Sequence, residues 1–231
     1  MPQKVLSIRI DGELVKAAEG QTILQAARSS SKYIPTLCWL EGLDAVGACR
    51  LCIVEVSGVG RLLPACTTPV QDGMSVTTNS PKLQRYRRLI LELLFVERNH
   101  VCAVCVSNGR CELQTLAYSH GMEHVRYEYT FPKWSVDNTH NLFGTDHNRC
   151  VLCSRCVDVC PEYCLAIVPF ESLDLPEAER GELAARAEAN GLPLSAMIKD
   201  DDRCIRCGLC AIRCPTDAMT MEKFQILERF V

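Results

Sequence analysis

Apolar and polar residues alternate near the start of the chain, with Leu6, Ile8 and Ile10 on one face and Ser7 and Arg9 on the other. A period of two predicts a strand. The Asp11-Gly12 dipeptide that follows is a type I′ turn signal, so residues 4–16 are expected as a hairpin. The period then changes. Ile23, Ala26 and Ala27 share one helical face, which predicts a short helix over 22–29. An irregular cysteine-bearing stretch, 38–52, precedes strand-like runs at 53–56 and 76–78. Two strands, a helix, a loop and further strands make a small α+β unit expected over 1–80.

Residues 81–97 read as an amphipathic helix. Pro81 suits its first turn, and Leu83, Ile90 and Leu94 lie near one face. Arg85, Arg87 and Arg88 are expected on its solvated side, with a docking surface as the rival reading. Residues 98–145 are mainly polar and irregular, so 81–145 forms a second unit. Residues 146–231 form a third, which holds two near-identical cysteine motifs and so an internal repeat. Between the motifs lies an insertion, 170–198, in which the Ala- and Glu-rich run 176–190, closed by Gly191, predicts a helix without ligands.

Composition changes this picture in one respect. Aromatic residues are only 6% of the chain while cysteines number 16, so much of the interior is expected to be organised around something other than large side chains. A net charge of −3 without a concentrated basic patch argues against nucleic acid as a partner. The longest apolar run, 89–96, is interrupted by Glu92 and is too short to span a bilayer. Residues 1–4 run straight into the first strand pattern with no secretory signal, so the expected location is cytoplasmic, with no direct membrane insertion. In that compartment thiols stay reduced, and clustered cysteines read as metal ligands rather than disulfides.

The strongest pattern is Cys150-x2-Cys153-x2-Cys156-x3-Cys160-Pro161, repeated as Cys204-x2-Cys207-x2-Cys210-x3-Cys214-Pro215. This is the bacterial two-cluster ferredoxin run, in which the fourth cysteine serves the other cluster. One [4Fe–4S] cluster is therefore expected on Cys150, Cys153, Cys156 and Cys214, and another on Cys204, Cys207, Cys210 and Cys160. Zinc sites use separated pairs rather than three ligands in seven positions. A second group, Cys38-x10-Cys49-x2-Cys52-x13-Cys66, keeps the ligand order of plant-type [2Fe–2S] proteins but not their first gap. On spacing alone zinc competes there. A third group, Cys102-x2-Cys105-x5-Cys111, is one ligand short of a [4Fe–4S] site, and His100 is placed to complete it. His120, His124, His140 and His147 face no such gap and are read as structural. The remaining cysteine, Cys164, reads as a small buried apolar residue.

Longer strings carry a resemblance. Glu92-Leu93-Leu94-Phe95, Asn99-His100-Val101-Cys102-Ala103-Val104-Cys105, Cys111-Glu112-Leu113-Gln114, Phe143-Gly144 and Asp146-His147-Asn148-Arg149-Cys150 resemble the small iron–sulfur diaphorase subunit of NAD-reducing [NiFe] hydrogenases. More distantly they resemble the N-terminal part of the complex I large iron–sulfur subunit. The likeness runs from residue 1 to about 160 and implies three things: a β-grasp [2Fe–2S] ferredoxin domain with Cys38, Cys49, Cys52 and Cys66, a His/Cys3 [4Fe–4S] segment with His100, Cys102, Cys105 and Cys111, and a two-[4Fe–4S] ferredoxin-like domain. Complex I chains carry H-x3-C, whereas this chain has H-x-C, with Arg98 in the position that the longer spacing would use. Beyond Cys160 the sequence looks more like ferredoxin modules attached to NAD(P)-linked flavoprotein oxidoreductases.

The expected function is a relay of single electrons between an NAD(P)H-oxidising flavoprotein subunit and a hydrogenase module. No Rossmann fingerprint or nucleophile–base pair is present, so FMN and NAD(P) are expected on a partner subunit and no complete active site on this chain. The same relay in a bifurcating, ferredoxin-coupled complex or in a formate dehydrogenase is an alternative. A zinc-binding interaction scaffold is the alternative of another class.

Overall fold

The first two strands form as their alternation predicts. β1 (Val5–Ile10) pairs antiparallel with β2 (Glu13–Ala18). Asp11 and Gly12 both take positive φ, 51° and 84°, as a type I′ turn requires. These strands come from a computed structural model that describes residues 4–129, 136–169, 172–174, 176–178, 180–181, 184–185 and 195–221.

β3 (Ile53–Val56), β4 (Leu63–Pro64) and β5 (Ser75–Thr77) complete a five-stranded sheet in the order β2-β1-β5-β3-β4. Its centre is the parallel pair β1–β5. Helix α1 (Ile23–Ser29) packs Ile23, Leu24, Ala26 and Ala27 into one core with Ile8, Ile10, Val54 and Val76. Its start is fixed by a capping box. Thr22 Oγ1 accepts from Gln25 N at 3.3 Å, and Gln25 Oε1 accepts from Thr22 N at 2.8 Å.

Helix α2 (Pro81–Glu97) begins where the sequence places it. Ser80 Oγ accepts from Leu83 N and donates to Glu55 Oε2 at 2.6 Å, which ties the helix start to β3. One expectation fails here. Arg87 is buried, not solvated. Its Nε donates to Leu51 O at 3.1 Å, and its Nη2 donates to Ile53 O at 2.7 Å and Thr78 O at 2.9 Å. Three backbone carbonyls thus replace the water that a guanidinium would otherwise need. Leu91 of α2 meets Leu113, Leu116 and Ala117 of α3 (Glu112–Ser119), a helix in a stretch expected to be irregular. Leu37, Leu51, Cys38, Cys49 and Cys153 share that second core, so it joins the sheet unit to both cysteine-rich units.

The last unit contains the internal repeat as two short helices, α4 (Arg155–Asp158) and α5 (Leu209–Ile212), each inside a cysteine run. The hairpin β8 (Leu165–Pro169) and β9 (Ser195–Lys199) lies between them. β6 (Val136–Asp137) and β7 (Gly144–Asp146) pair with β10 (Met219–Thr220) in a small antiparallel sheet. β6 and β7 therefore share a sheet with a strand from the end of the chain. The helix expected over 176–190 lies mostly outside the described residues. Among the described residues no helix is long and apolar enough to cross a membrane.

Candidate metal centres

The loop before β3 carries Cys38, Cys49 and Cys52 and meets Cys66, which follows β4; all four are buried. Gly47 makes the loop possible, because its φ is +68° and an added Cβ would stand 3.2 Å from Thr67 Cγ2, beside Cys66. Cys38 N donates to Cys49 Sγ at 3.4 Å, and Cys49 N donates to Cys38 Sγ at 3.5 Å. Cys52 and Cys66 form the second pair, and the first pair is close enough to raise Cys66 electrostatically. The Cys38 thiol donates to Cys49 and is the main cause that holds Cys49 down at about 6, against burial, with Leu51 N–H helping. Cys38 is pushed up correspondingly. Cys66 is likewise raised and Cys52 lowered by their shared hydrogen bond. Each pair thus shares a proton that a bound cation would displace.

The third group forms around one small space lined by His100, Cys102, Cys105 and Cys111, with Phe95, Gln114, Arg149 and Thr216 among its other walls. A 3-10 turn at Cys102–Val104 and the start of α3 at Glu112 set the cysteine directions. His100 Nε2 is buried and has no hydrogen-bond partner among the described residues. Burial first, and the Arg98 cation second, push the imidazole down to about 4, so it is neutral at pH 7 with a lone pair to give. Arg98 takes no part in lining this space. An orphaned neutral imidazole nitrogen among three thiols fits a ligand to iron.

The two runs fold as near copies. Leu152, Ser154 and Tyr163 have positive φ, and so do Arg206, Gly208 and Asp217 at the matching positions of the second run. Left-handed residues next to right-handed ones turn successive backbone N–H groups toward one side, a concavity that suits an anionic group. Cys150, Cys153, Cys156 and Cys214 line one space. Cys160, Cys204, Cys207 and Cys210 line another, together with Cys164. The fourth cysteine of each run therefore stands with the first three of the other. Burial raises Cys153 to about 12 and Cys210 to about 11, so these thiols need a cation to become ligands.

Among the described residues no three Cys, His, Asp or Glu side chains converge closely enough to hold a single metal ion. The cysteines line small spaces, an arrangement that suits a multi-iron group. Arg155 was not singled out from sequence, and Cys164 was read there only as a small buried apolar residue. Arg155, between Cys153 and Cys156, is buried, although its position inside a ligand loop was a usable signal. Cys164 is buried as expected, yet its Sγ lies 3.1 Å from Cys160 Sγ.

Three families match in tandem: the 2Fe-2S iron-sulfur cluster binding domain over 3–81, the NADH-ubiquinone oxidoreductase-G iron-sulfur binding region over 87–126, and the 4Fe-4S dicluster domain over 149–218. The chain is 37% identical over 225 residues to the NADPH-Fe(3+) oxidoreductase subunit alpha of Geobacter sulfurreducens, covering 97% of this chain and 25% of that one. It is 39% identical over 153 residues to the NAD-reducing hydrogenase HoxS subunit gamma of Cupriavidus necator, covering 66% of this chain and 64% of that one. The chain thus spans about a quarter of the first relative's length and less than two thirds of the second's. A chain in the crystal structure of NAD+-reducing [NiFe]-hydrogenase in the H2-reduced state superposes with a TM-score of 0.66 at 39% identity, covering 71% of this chain and 70% of that one. The tandem iron–sulfur domains, the shared fold and this identity together place the chain in the family of iron–sulfur subunits that NAD-reducing hydrogenases share with NADH-ubiquinone oxidoreductase.

Proposed function

We propose that this chain is an electron-transfer subunit relaying single electrons between an NAD(P)H-oxidising flavoprotein partner and a hydrogenase module. Its ligands would be Cys38, Cys49, Cys52 and Cys66 for one [2Fe–2S], one cysteine pair to each iron. His100, Cys102, Cys105 and Cys111 would hold a [4Fe–4S]. Cys150, Cys153, Cys156 and Cys214 would hold the next, and Cys160, Cys204, Cys207 and Cys210 the last. When bound, such clusters accept and release one electron at a time at potentials set by ligand type, hydrogen bonding and burial.

The observation that carries this reading is the contiguity of the sites. Thr216 lines both the His100 space and the Cys150 space. Cys156 stands close enough to Cys210 to feel its charge, which links the Cys150 space to the last one. Cys38, Cys49, Cys111 and Cys153 belong to or pack against one core. The protein's own work is to fix these spaces side by side, keep water out of them and donate hydrogen bonds to their sulfurs. Cys207 is exposed, so the series reaches the surface at that end.

A second reading rests on the likeness to the NADPH-Fe(3+) oxidoreductase alpha subunit, which matches 97% of this chain, including the second run. The same relay would then serve an NADPH-linked oxidoreductase with no hydrogenase. Coverage alone does not decide between the two, since the NADP-reducing hydrogenase subunit HndD of Solidesulfovibrio fructosivorans matches 95%. Anaerobic purification of the intact complex separates the two. The relay reading expects about 14 irons on this chain, with little zinc. Hydrogen uptake or evolution by the complex supports the hydrogenase module, and flavin with no hydrogen turnover supports the second reading. Stoichiometric zinc with about eight irons would overturn the assignments before Cys150.

A further inference from the structure

The internal repeat supplies its own control for one residue the relay leaves unused. After each Cys-Pro junction the chain turns through a left-handed residue, Tyr163 in the first copy and Asp217 in the second. The next residue's N–H then donates to the fourth cysteine of its run: Cys164 N to Cys160 Sγ at 3.4 Å, and Ala218 N to Cys214 Sγ at 3.1 Å. The backbone is alike in both copies, but the side chains differ. Where the second copy has an alanine methyl, the first has a thiol, buried, lining the same space as Cys160, Cys204, Cys207 and Cys210. Its sulfur is 3.1 Å from Cys160 Sγ and close to Cys204. Among the described residues the side-chain partner of Cys214 is instead the Thr216 hydroxyl, at 3.9 Å.

We propose that Cys164 donates an S–H···S hydrogen bond to Cys160 and thereby raises the reduction potential of the [4Fe–4S] cluster assigned to Cys160, Cys204, Cys207 and Cys210. The inference rests on that cluster assignment. A cysteine bound to iron has no proton left to give, so of the two sulfurs only Cys164 can be the donor. At 3.1 Å the two sulfurs are too close to serve separate irons of one cubane. Cys164 therefore touches no iron and acts through Cys160, as a positioning thiol. Reduction adds negative charge that spreads onto the ligand sulfurs, and a donor aimed at one of them favours the reduced state. In the second copy the corresponding side-chain donor is a hydroxyl at 3.9 Å rather than a thiol at 3.1 Å, so the repeat places its two sites in similar loops with different hydrogen bonding.

The test is a potentiometric titration, followed by electron paramagnetic resonance, of the anaerobically purified full chain alongside Cys164→Ala and Cys164→Ser. Cys164→Ala is expected to keep all its iron. At a fixed potential near the wild-type midpoint, the ratio of reduced to oxidised cluster at the Cys160 site should fall roughly threefold to tenfold, the worth of one net hydrogen bond. The cluster of Cys150, Cys153, Cys156 and Cys214 should titrate unchanged. Cys164→Ser, whose hydroxyl also donates, should recover part of the difference. An unchanged midpoint in Cys164→Ala with full iron overturns the proposal. So does loss of about four irons in Cys164→Ala, which would make Cys164 a ligand. A wild-type chain without iron at this site would overturn the cluster assignment itself.

Discussion

Arg155 grips Glu112 with two parallel bonds, Nη1 to Oε1 at 2.7 Å and Nη2 to Oε2 at 2.9 Å. The same guanidinium donates to the carbonyls of Trp39 at 3.3 Å and Arg213 at 3.4 Å. Each partner is the chain neighbour of a cysteine from a different group: Trp39 follows Cys38, Glu112 follows Cys111 and Arg213 precedes Cys214. One side chain in the Cys150 run thus fixes the spacing of the groups around it. The Glu112 carboxylate is half-exposed, so the pair is partly screened, while Arg155 is buried. Arg155→Met should cost about 1–3 kcal/mol of stability. Thermal unfolding followed through the iron chromophore should show a transition several degrees lower. An unchanged transition would mean that the second core alone holds the units in place.

His100→Ala should lose the iron at its site or leave a three-iron cluster, with the other clusters intact. His100→Cys, if the shorter side chain reaches, should keep the cluster and lower its potential, because a thiolate adds negative charge. Full iron and an unaltered spectrum in His100→Ala would place the fourth ligand elsewhere.

The same residue gives a pH dependence. A proton competes with iron for Nε2 only as pH falls toward the imidazole's own value of about 4. Nitrogen hyperfine coupling on the reduced cluster should therefore persist unchanged between about pH 8 and about pH 6, where an ordinary histidine titrates. Loss of the coupling within that window would contradict the neutral buried ring.

Cys160→Ala should chiefly perturb the cluster of Cys204, Cys207 and Cys210, since Cys160 lines their space and not that of its own run. Iron counting with spectra of each cluster checks this. Selective loss of the Cys150 signal would show that each run serves its own cluster.

Arg87→Met should act twice. It leaves the carbonyls of Leu51, Ile53 and Thr78 without their donor, costing about 2–4 kcal/mol. It also removes a buried cation from both chain neighbours of Cys52, so the [2Fe–2S] potential should fall. A stable variant with an unshifted [2Fe–2S] signal would show that Arg87 only braces the helix.

Arg87 marks the limit of reading by charge. In sequence it sits among Arg85 and Arg88 on an exposed-looking helix face, and nothing local tells which of the three will meet main-chain carbonyls 34 and 36 residues away. The β1–β2 hairpin and α2 were legible because their signals are local: Asp11-Gly12 between alternating residues, and Pro81 at the first turn. The grouping of the thiols was legible from spacing alone. Helix α3 was not, for Cys111 at its start makes no side-chain capping bond among the described residues. Glu112 N instead donates to Pro215 O at 2.9 Å, a partner that only the tertiary fold supplies. The β8–β9 hairpin was missed for a related reason, since its strands are not joined by a short turn signal.

That hairpin has an evolutionary consequence. Pro169 and Ser195 are register partners, so the two ends of the insertion stand side by side. Doubling the length of what lies between costs only about 0.6 kcal/mol of closure entropy. A paired hairpin whose ends are held together is therefore expected to tolerate changes in the length of what it spans. A gene could acquire, swap or shed a segment there while the wiring on either side kept its spacing, and an engineer could graft a fluorescent reporter or affinity tag at the same address.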